Sequence, residues 1–371
     1  MSETWRYVDL GAVDAFENNA QMAVLSRSTR EQRVPILQTS VWGLTHLNVG
    51  WFDDIDETVD LDKCEDLGVA VIRRPFAGGG TAFYDAGCTA MWGLLLPKAE
   101  GDALDLDGLT ARLQSVVLDA LARLGLGEVQ FDAADLRWER GRKLGGLSAG
   151  DFGPVVSVGG FLNLRRPNLD LYLRVARIPD EKFRDKVVKD MAEYVCTAEE
   201  VVGRPVSYED FRDAMVAAAG ATDVTLAPEP LSEAEQGGLA KVSRRIADAD
   251  ELRRISSARF RREAPAGTRV GFGSYKARKL VRAGLVVDDD GQIAAAMMGG
   301  DMHVAPPDTL DRVAAALVGA DVADDDTLRS RVADVYEAPE VHRTETTAVT
   351  TDDLLAAIHR ARADAAADNK E

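Results

Sequence analysis

Short apolar runs rich in β-branched residues, at positions 34–39, 67–72 and 155–164, are interleaved with stretches whose apolar residues recur at helical spacing. This alternation limits the fold more than any other feature of the chain. Residues 109–124 carry the helical period, and Gly125 is placed to stop it. Residues 181–202 carry it again before Gly203, and Ser207 with Asp210 reads as the N-cap of a further helix. Strands and helices mixed in this order predict an α/β (α+β) protein with a mixed sheet. At 371 residues the chain exceeds one ordinary domain, so a large domain over 1–225 and a smaller second one are expected. Around 228–238 the composition turns to Pro, Glu, Ser and Gly, and 241–262 is a charged helical stretch, so 226–262 reads as linker and helix. Residues 263–340 then read as a small accessory domain, with strands at 281–287 and 293–298 joined by the turn Asp288-Asp289-Asp290-Gly291 and a helix at 309–318. A short amphipathic helix and tail fill 341–371.

Charge and cysteine content remove several classes of function. A net charge of −18 repels duplex nucleic acid and anionic membrane surfaces, so neither is expected as a partner. Any polyanionic ligand must instead meet a local cluster of Arg and Lys. The acidic, arginine-rich composition fits either an acidic, salt-adapted proteome or a GC-rich genome. The amino terminus lacks a basic-then-apolar leader, and no apolar run approaches the ~20 residues of a membrane helix. The three cysteines, Cys64, Cys88 and Cys196, are widely spaced and form no CxxC pair. A cytoplasmic protein is expected. His46, His303, His342 and His359 show no HxxxH or HExxH spacing, which argues against a zinc hydrolase.

Two motifs carry chemistry. In RRPFAGGGTAFYD (73–85), Gly78, Gly79 and Gly80 allow positive φ and close approach of a ligand. Arg73 and Arg74 offer planar donors for phosphate or carboxylate, and Asp85 follows five residues after the last glycine. The plain alternative is a turn between strands with solvated arginines; the spacing matches neither a P-loop nor GxGxxG. In GRKLGG (141–146), Lys143 stands among small residues beside Arg142, held near a bound anion or else simply solvated in a turn.

Taken together, in this order and separation, the two motifs resemble the lipoate–protein ligase A, biotin ligase and octanoyltransferase superfamily, whose ligases carry an arginine pair before a triple glycine and a later GRK[IV]SGSA-like stretch. HLNVG (46–50), IPDEKF with Lys186, MAEYVCTAEEVVGR (191–204), KLVR (279–282) and IAAAMMGGDM (293–302) extend the likeness across nearly the whole chain. Departures cluster near the implied site. Pro75 stands where a second arginine often aligns, Tyr84 replaces the histidine of an HD pair, and Val158-Gly159 stands where many ligases have His-Gly. Gly145 and Leu147 replace serines, and Ala134 precedes Asp135 where asparagine is common.

The resemblance implies a lipoate–protein ligase. ATP with Mg²⁺ would activate lipoate or octanoate to an acyl-adenylate, which passes to a lysine of a lipoyl carrier domain, of a dehydrogenase E2 or glycine-cleavage H protein. It implies Lys143 and Asp135 as catalytic residues, and Arg73, Arg74, Gly78, Gly79, Gly80, Asp85, Gly145 and Gly146 as substrate- and ATP-binding. It implies Val49, Phe76 and Phe83 as lining an acyl tunnel. An ATP-independent transferase using Cys196 as nucleophile, or a degenerate lipoate-binding homologue, are the alternatives.

Overall fold

The interleaved strand and helix patterns build two units, described in a computed structural model over residues 3–75, 78–98, 106–132, 135–151, 154–177, 193–343 and 349–367. One unit gathers Met1–His46, Phe83–Arg174 and Ile178–Arg245, and the other gathers Leu47–Ala82, Val175–Arg177 and Ile246–Glu371.

An eight-stranded mixed sheet organises the first unit, in the order Val224–Pro228, Glu3–Val13, Ile36–Trp42, Thr89–Pro97, Val155–Asn163, Arg142–Asp151, Asp135–Trp138, Gln130–Asp132. Strand Glu3–Val13 runs parallel to both its neighbours, and the remaining pairs are antiparallel. Alternate side chains of the central strands enter different cores, as the two-residue period of a strand requires. Leu37, Leu94 and Val156 join a core built with helices Leu106–Arg123 and Tyr208–Gly220, through Leu113, Val117, Phe211 and Met215. Their neighbours Ile36, Leu95 and Val155 pack with Leu25 of helix Ala15–Gln32. Full burial of each such side chain contributes about 1.5–3 kcal/mol. The expected helix stop and cap both form: Gly125 takes φ 91°, and Ser207 and Asp210 make a reciprocal capping box.

In the second unit, strands Arg269–Lys276, Leu280–Val287 and Ile293–Gly300 form an antiparallel sheet, turned at Gly291 with φ 81°. Helix Thr351–Ala367 lies on this sheet. A Cβ built at Gly271 or Gly273 would come within 2.1 Å of a carbonyl oxygen of that helix, so glycine sets the approach.

Two expectations about organisation change. The segment 226–262 is not a linker: Val224–Pro228 is a sheet strand, and helix Glu233–Ile246 is fastened by Glu235. Arg6 donates to both Glu235 carboxylate oxygens at 2.7 and 2.8 Å, with both side chains nearly fully buried. The expected C-terminal helix forms at Thr351–Ala367 and joins the small core through Leu354, Leu355 and Ile358. Residues 47–82, expected in the large domain, fold with the C-terminal portion, where Arg73 donates to the carbonyls of Leu252 and Ile255 and Gly79 N–H donates to Met302 O.

Candidate functional site

Two clusters hold the residues singled out by sequence, one in each unit. In the first unit, strand Arg142–Asp151 lies between Val155–Asn163 and Asp135–Trp138, and its register sets Lys143 opposite Arg137. An irregularity between Leu136 and Arg137 bends this pairing. The Lys143 ammonium sits 2.7 Å from Asp135 Oδ1 and 5.7 Å from the centre of the Phe161 ring. Asp135 also accepts from Arg137 at 2.8 Å and from the Tyr194 hydroxyl at 3.5 Å. The two ionic side chains are 28% and 23% exposed, so the pair is held yet reachable. An ammonium has three donors, and Asp135 takes one of them. The backbone alongside is fixed too, with Cys196 N–H donating to Lys143 O at 2.9 Å.

The two glycines after Lys143 do not form a ligand loop. Gly145 and Gly146 are mid-strand, with partners on both neighbouring strands, so their backbones are already engaged. A Cβ on Gly145 would meet Phe161 O at 2.2 Å, which accounts for glycine there by packing. Asp85 likewise departs from its expected ligand role. It accepts from the Thr45 hydroxyl at 2.5 Å and from the amides of Ala86 and Asn168 at 3.0 Å, so both its oxygens organise turns. Phe83 pairs with Tyr172 at 5.5 Å between ring centres. Tyr84 stacks on His46 at 5.3 Å and touches Trp42 at 5.1 Å. Burial drives the His46 imidazole down to about 4, against the bond from its Nδ1–H to Leu44 O, so it stays neutral.

In the second unit the arginines act on backbone rather than on ligand. Arg73 is 2% exposed and donates to the carbonyls of Gly50, Trp51, Asp53, Leu252 and Ile255 at 2.7–3.2 Å. Burial lowers its guanidinium to about 10 against the pull of Asp53. Arg73 therefore clamps the fold and is withdrawn as an anion donor. Arg74 donates to the carbonyls of Asn48, Gly78, Gly79 and Gly80 at 2.8–3.2 Å, gathering the glycine turn around one cation. The glycines are required sterically: a Cβ on Gly78 would stand 2.0 Å from Met302 O, and Gly79 takes φ 86°. Gly79 N–H donates to Met302 O at 3.2 Å. Val49 is fully buried in the core of this unit, and Phe76 lies outside the described residues.

A family profile described as the lipoyl protein ligase A/B catalytic domain matches residues 14–220. The chain belongs to that family. It is 28% identical over 272 residues to an octanoyltransferase, LipM, of Moorella thermoacetica, covering 68% of this chain and 99% of that one. Two solved structures share the fold. One is the bi-partite lipoate protein ligase from Thermoplasma acidophilum (TM-score 0.58, 21% identity, 68% of this chain and 97% of that one). The other is LipL1 of P. falciparum in complex with lipoate (TM-score 0.63, 12% identity, 92% and 96%). The chain is thus an enzyme of the lipoate ligase and octanoyltransferase family, which attaches lipoate or octanoate to lipoyl proteins.

Some neighbours of these residues carry little signal in the sequence. His303 matches no histidine spacing, yet its Nε2 lies 3.2 Å from where a Gly79 Cβ would stand. The only advance signal was its place directly after the GGDM that follows a predicted strand. Tyr194 at Asp135 and Phe161 under Lys143 carried no signal at all. Among the described residues no group of three His, Cys, Asp or Glu side chains is arranged to hold a metal ion, and no helix is long and apolar enough to cross a membrane.

Proposed function

We propose that this enzyme is an ATP-dependent lipoate–protein ligase that accepts lipoate or octanoate and a lipoyl carrier domain. The observation that carries this reading is the state of the thiols. Cys64, Cys88 and Cys196 are the chain's three cysteines, and none exceeds 3% exposure. Burial raises all three, Cys64 to about 11, and the Cys196 thiol is directed at Arg142 O at 3.7 Å. A thioester-forming transferase needs an accessible thiolate. Adenylate chemistry needs no protein nucleophile. The acyl carboxylate attacks the α-phosphorus as the bond to pyrophosphate breaks; a carrier lysine amine then attacks the acyl carbon as AMP leaves.

Both steps build charge on oxygen, and a positioned cation stabilises it. Lys143 is the residue suited to that work, steered by Asp135, which Arg137 holds in turn. Mg²⁺ would accompany the nucleotide and neutralise its phosphates.

The likeness to an octanoyltransferase favours a second reading, transfer from an octanoyl carrier without ATP. Incubation with octanoate, ATP, Mg²⁺ and a lipoyl domain should release pyrophosphate and modify the domain, and alkylating reagents should leave native activity intact. Carrier-to-carrier transfer without ATP, abolished by Cys196→Ala, would establish the transferase instead.

A further inference from the structure

One edge of the small sheet in the second unit is open over part of its length. Strand Ile293–Gly300 pairs with Leu280–Val287 on one side only, so its other side is the sheet's edge. Backbone closes both ends of that edge. Ile293 N–H donates to Ala320 O at 2.9 Å and its carbonyl accepts from Gly319, while Gly300 N–H donates to Phe52 O at 2.7 Å. Backbone groups alternate in direction along a strand, so the outward amide of Gly300 implies outward amides and carbonyls at Met298 and Ala296. Among the described residues, neither has a hydrogen-bond partner on that side. A row of free donors and acceptors is a template for another strand, and natural edges blunt it with Lys, Pro or a bulge. The stretch Ala295–Met298 has no charge and no proline, and its register is continuous.

That edge lines a cavity of about 500 Å³, within the ~300–1,000 Å³ usual for binding clefts. The rest of its lining comes from residues 253–263 and from helix Thr309–Leu317 with Val318, an apolar side chain left 46% exposed. Three arginines line it against two carboxylates, and both carboxylates are engaged, Asp311 by Arg254 and Glu263 by Arg259. Arg253 is exposed and has no ion pair among the described residues. In a chain of net charge −18, this local surplus draws acidic segments and repels basic ones. We propose that the open edge of Ile293–Gly300 docks an extended acidic segment of a partner protein, added as a further strand beside Ala295–Met298. The segment's backbone bonds the outward groups of Ala296 and Met298, an acidic side chain meets Arg253, and an apolar one covers Val318. Four residues of strand run ~13 Å, so a hexapeptide is long enough to fill the edge. The proposal holds whichever acyl donor the enzyme uses.

The test is fluorescence anisotropy of the full chain with a labelled hexapeptide alternating Glu and Val. Two controls run beside it, the same peptide with Lys for Glu and the acidic peptide N-methylated throughout. The acidic peptide is expected to bind saturably, to weaken as salt is raised, and to slow hydrogen exchange over residues 294–298. Both controls should bind at least about tenfold more weakly, one through charge and the other through lost backbone bonds. Arg253→Glu should weaken the acidic peptide about tenfold and leave the melting temperature unchanged. Ala296→Pro should weaken it as well, since proline on an edge removes only the outward donor. Equal binding of the methylated and unmethylated peptides, or an affinity unmoved by Arg253→Glu, overturns the proposal. No saturable binding at millimolar peptide does the same. So does a dimer in sedimentation that Ala296→Pro dissolves, because the edge then serves a second copy of this chain.

Discussion

Replacing Lys143 with alanine separates catalysis from stability, because the geometry predicts opposite sizes for the two effects. At 2.7 Å from Asp135, the ammonium has a gross attraction of ~6 kcal/mol at an effective dielectric of ~20. Both groups are about a quarter exposed (28% and 23%), so desolvation, screening and side-chain entropy leave only about 0–1 kcal/mol net. Asp135 is not orphaned by the change, since Arg137 still bonds it at 2.8 Å. The melting temperature should therefore fall by no more than about 2–4 °C. Activity should fall far more: loss of one positioned charge in the transition state costs ~10²–10³-fold in turnover, or about 2.7–4 kcal/mol. The assay is single-turnover release of pyrophosphate from ATP, with melting followed by circular dichroism on the same samples. A variant that melts like wild type and keeps activity within tenfold would remove Lys143 from the mechanism. A collapse of the melt by 10 °C or more would show instead that the pair is an architectural bridge, against the partial exposure both side chains retain.

Four further outcomes follow from particular contacts. Burial tends to raise Glu235, but its bonds to Arg6, Ser28 and Ser232 outweigh this and bring it from 4.5 to about 2. A lowered carboxylate stabilises the fold above its unfolded value and loses that effect as pH falls toward the folded one. Its contribution of about 3 kcal/mol should therefore vanish between pH ~4.5 and ~2 in denaturant titrations. Glu235→Ala should cost about 3–5 kcal/mol, because Arg6 stays buried without its partner. Gly78→Ala sets a methyl 2.0 Å from Met302 O, a backbone atom that cannot swing away, and should cost about 1–3 kcal/mol along with acyl transfer. Cys196→Ser should leave ATP-dependent activity within a factor of a few, since the buried thiol takes no part in adenylate chemistry.

The parts of this molecule that were legible in its sequence are those whose cause is local. The helix period at 109–124, the cap at Ser207, the stop at Gly125 and the turn at Gly291 depend on residues a few positions apart, and each formed where read. Of the helix read over 181–202, residues 181–192 lie outside the described residues; Ala198–Val202 is helical, while Val195 is bridged to Lys143. The linker expected around 228–238 failed for the opposite reason. Its Pro and Ser mark a bend between strand and helix, its Gly237 and Gly238 lie inside that helix, and the residue that fastens the helix, Arg6, lies 229 positions away from Glu235. Lys143 could be singled out from its glycine neighbours, but the residues that set its surroundings come from strand register and from a distant segment. Asp135 pairs opposite Gly146, while Phe161 and Tyr194 arrive from elsewhere in the chain.

The arginine pair shows the same limit in its sharpest form. Side by side before three glycines, Arg73 and Arg74 look alike, and both invite an anion. Five backbone carbonyls surround Arg73 and four surround Arg74, and a carbonyl has no letter in a sequence. Both arginines bind oxygen, as the motif suggested, but the oxygens belong to the chain itself. With Gly78, Gly79 and Gly80 all turned toward Arg74, the turn is preformed before any substrate arrives, and positive charge for a ligand must come from outside the motif. His303 stands at Gly79, supplied by a part of the chain more than 200 residues after the motif. A motif that shapes a surface and a remote side chain that lines it is an arrangement no scan of RRPFAGGG alone could reveal.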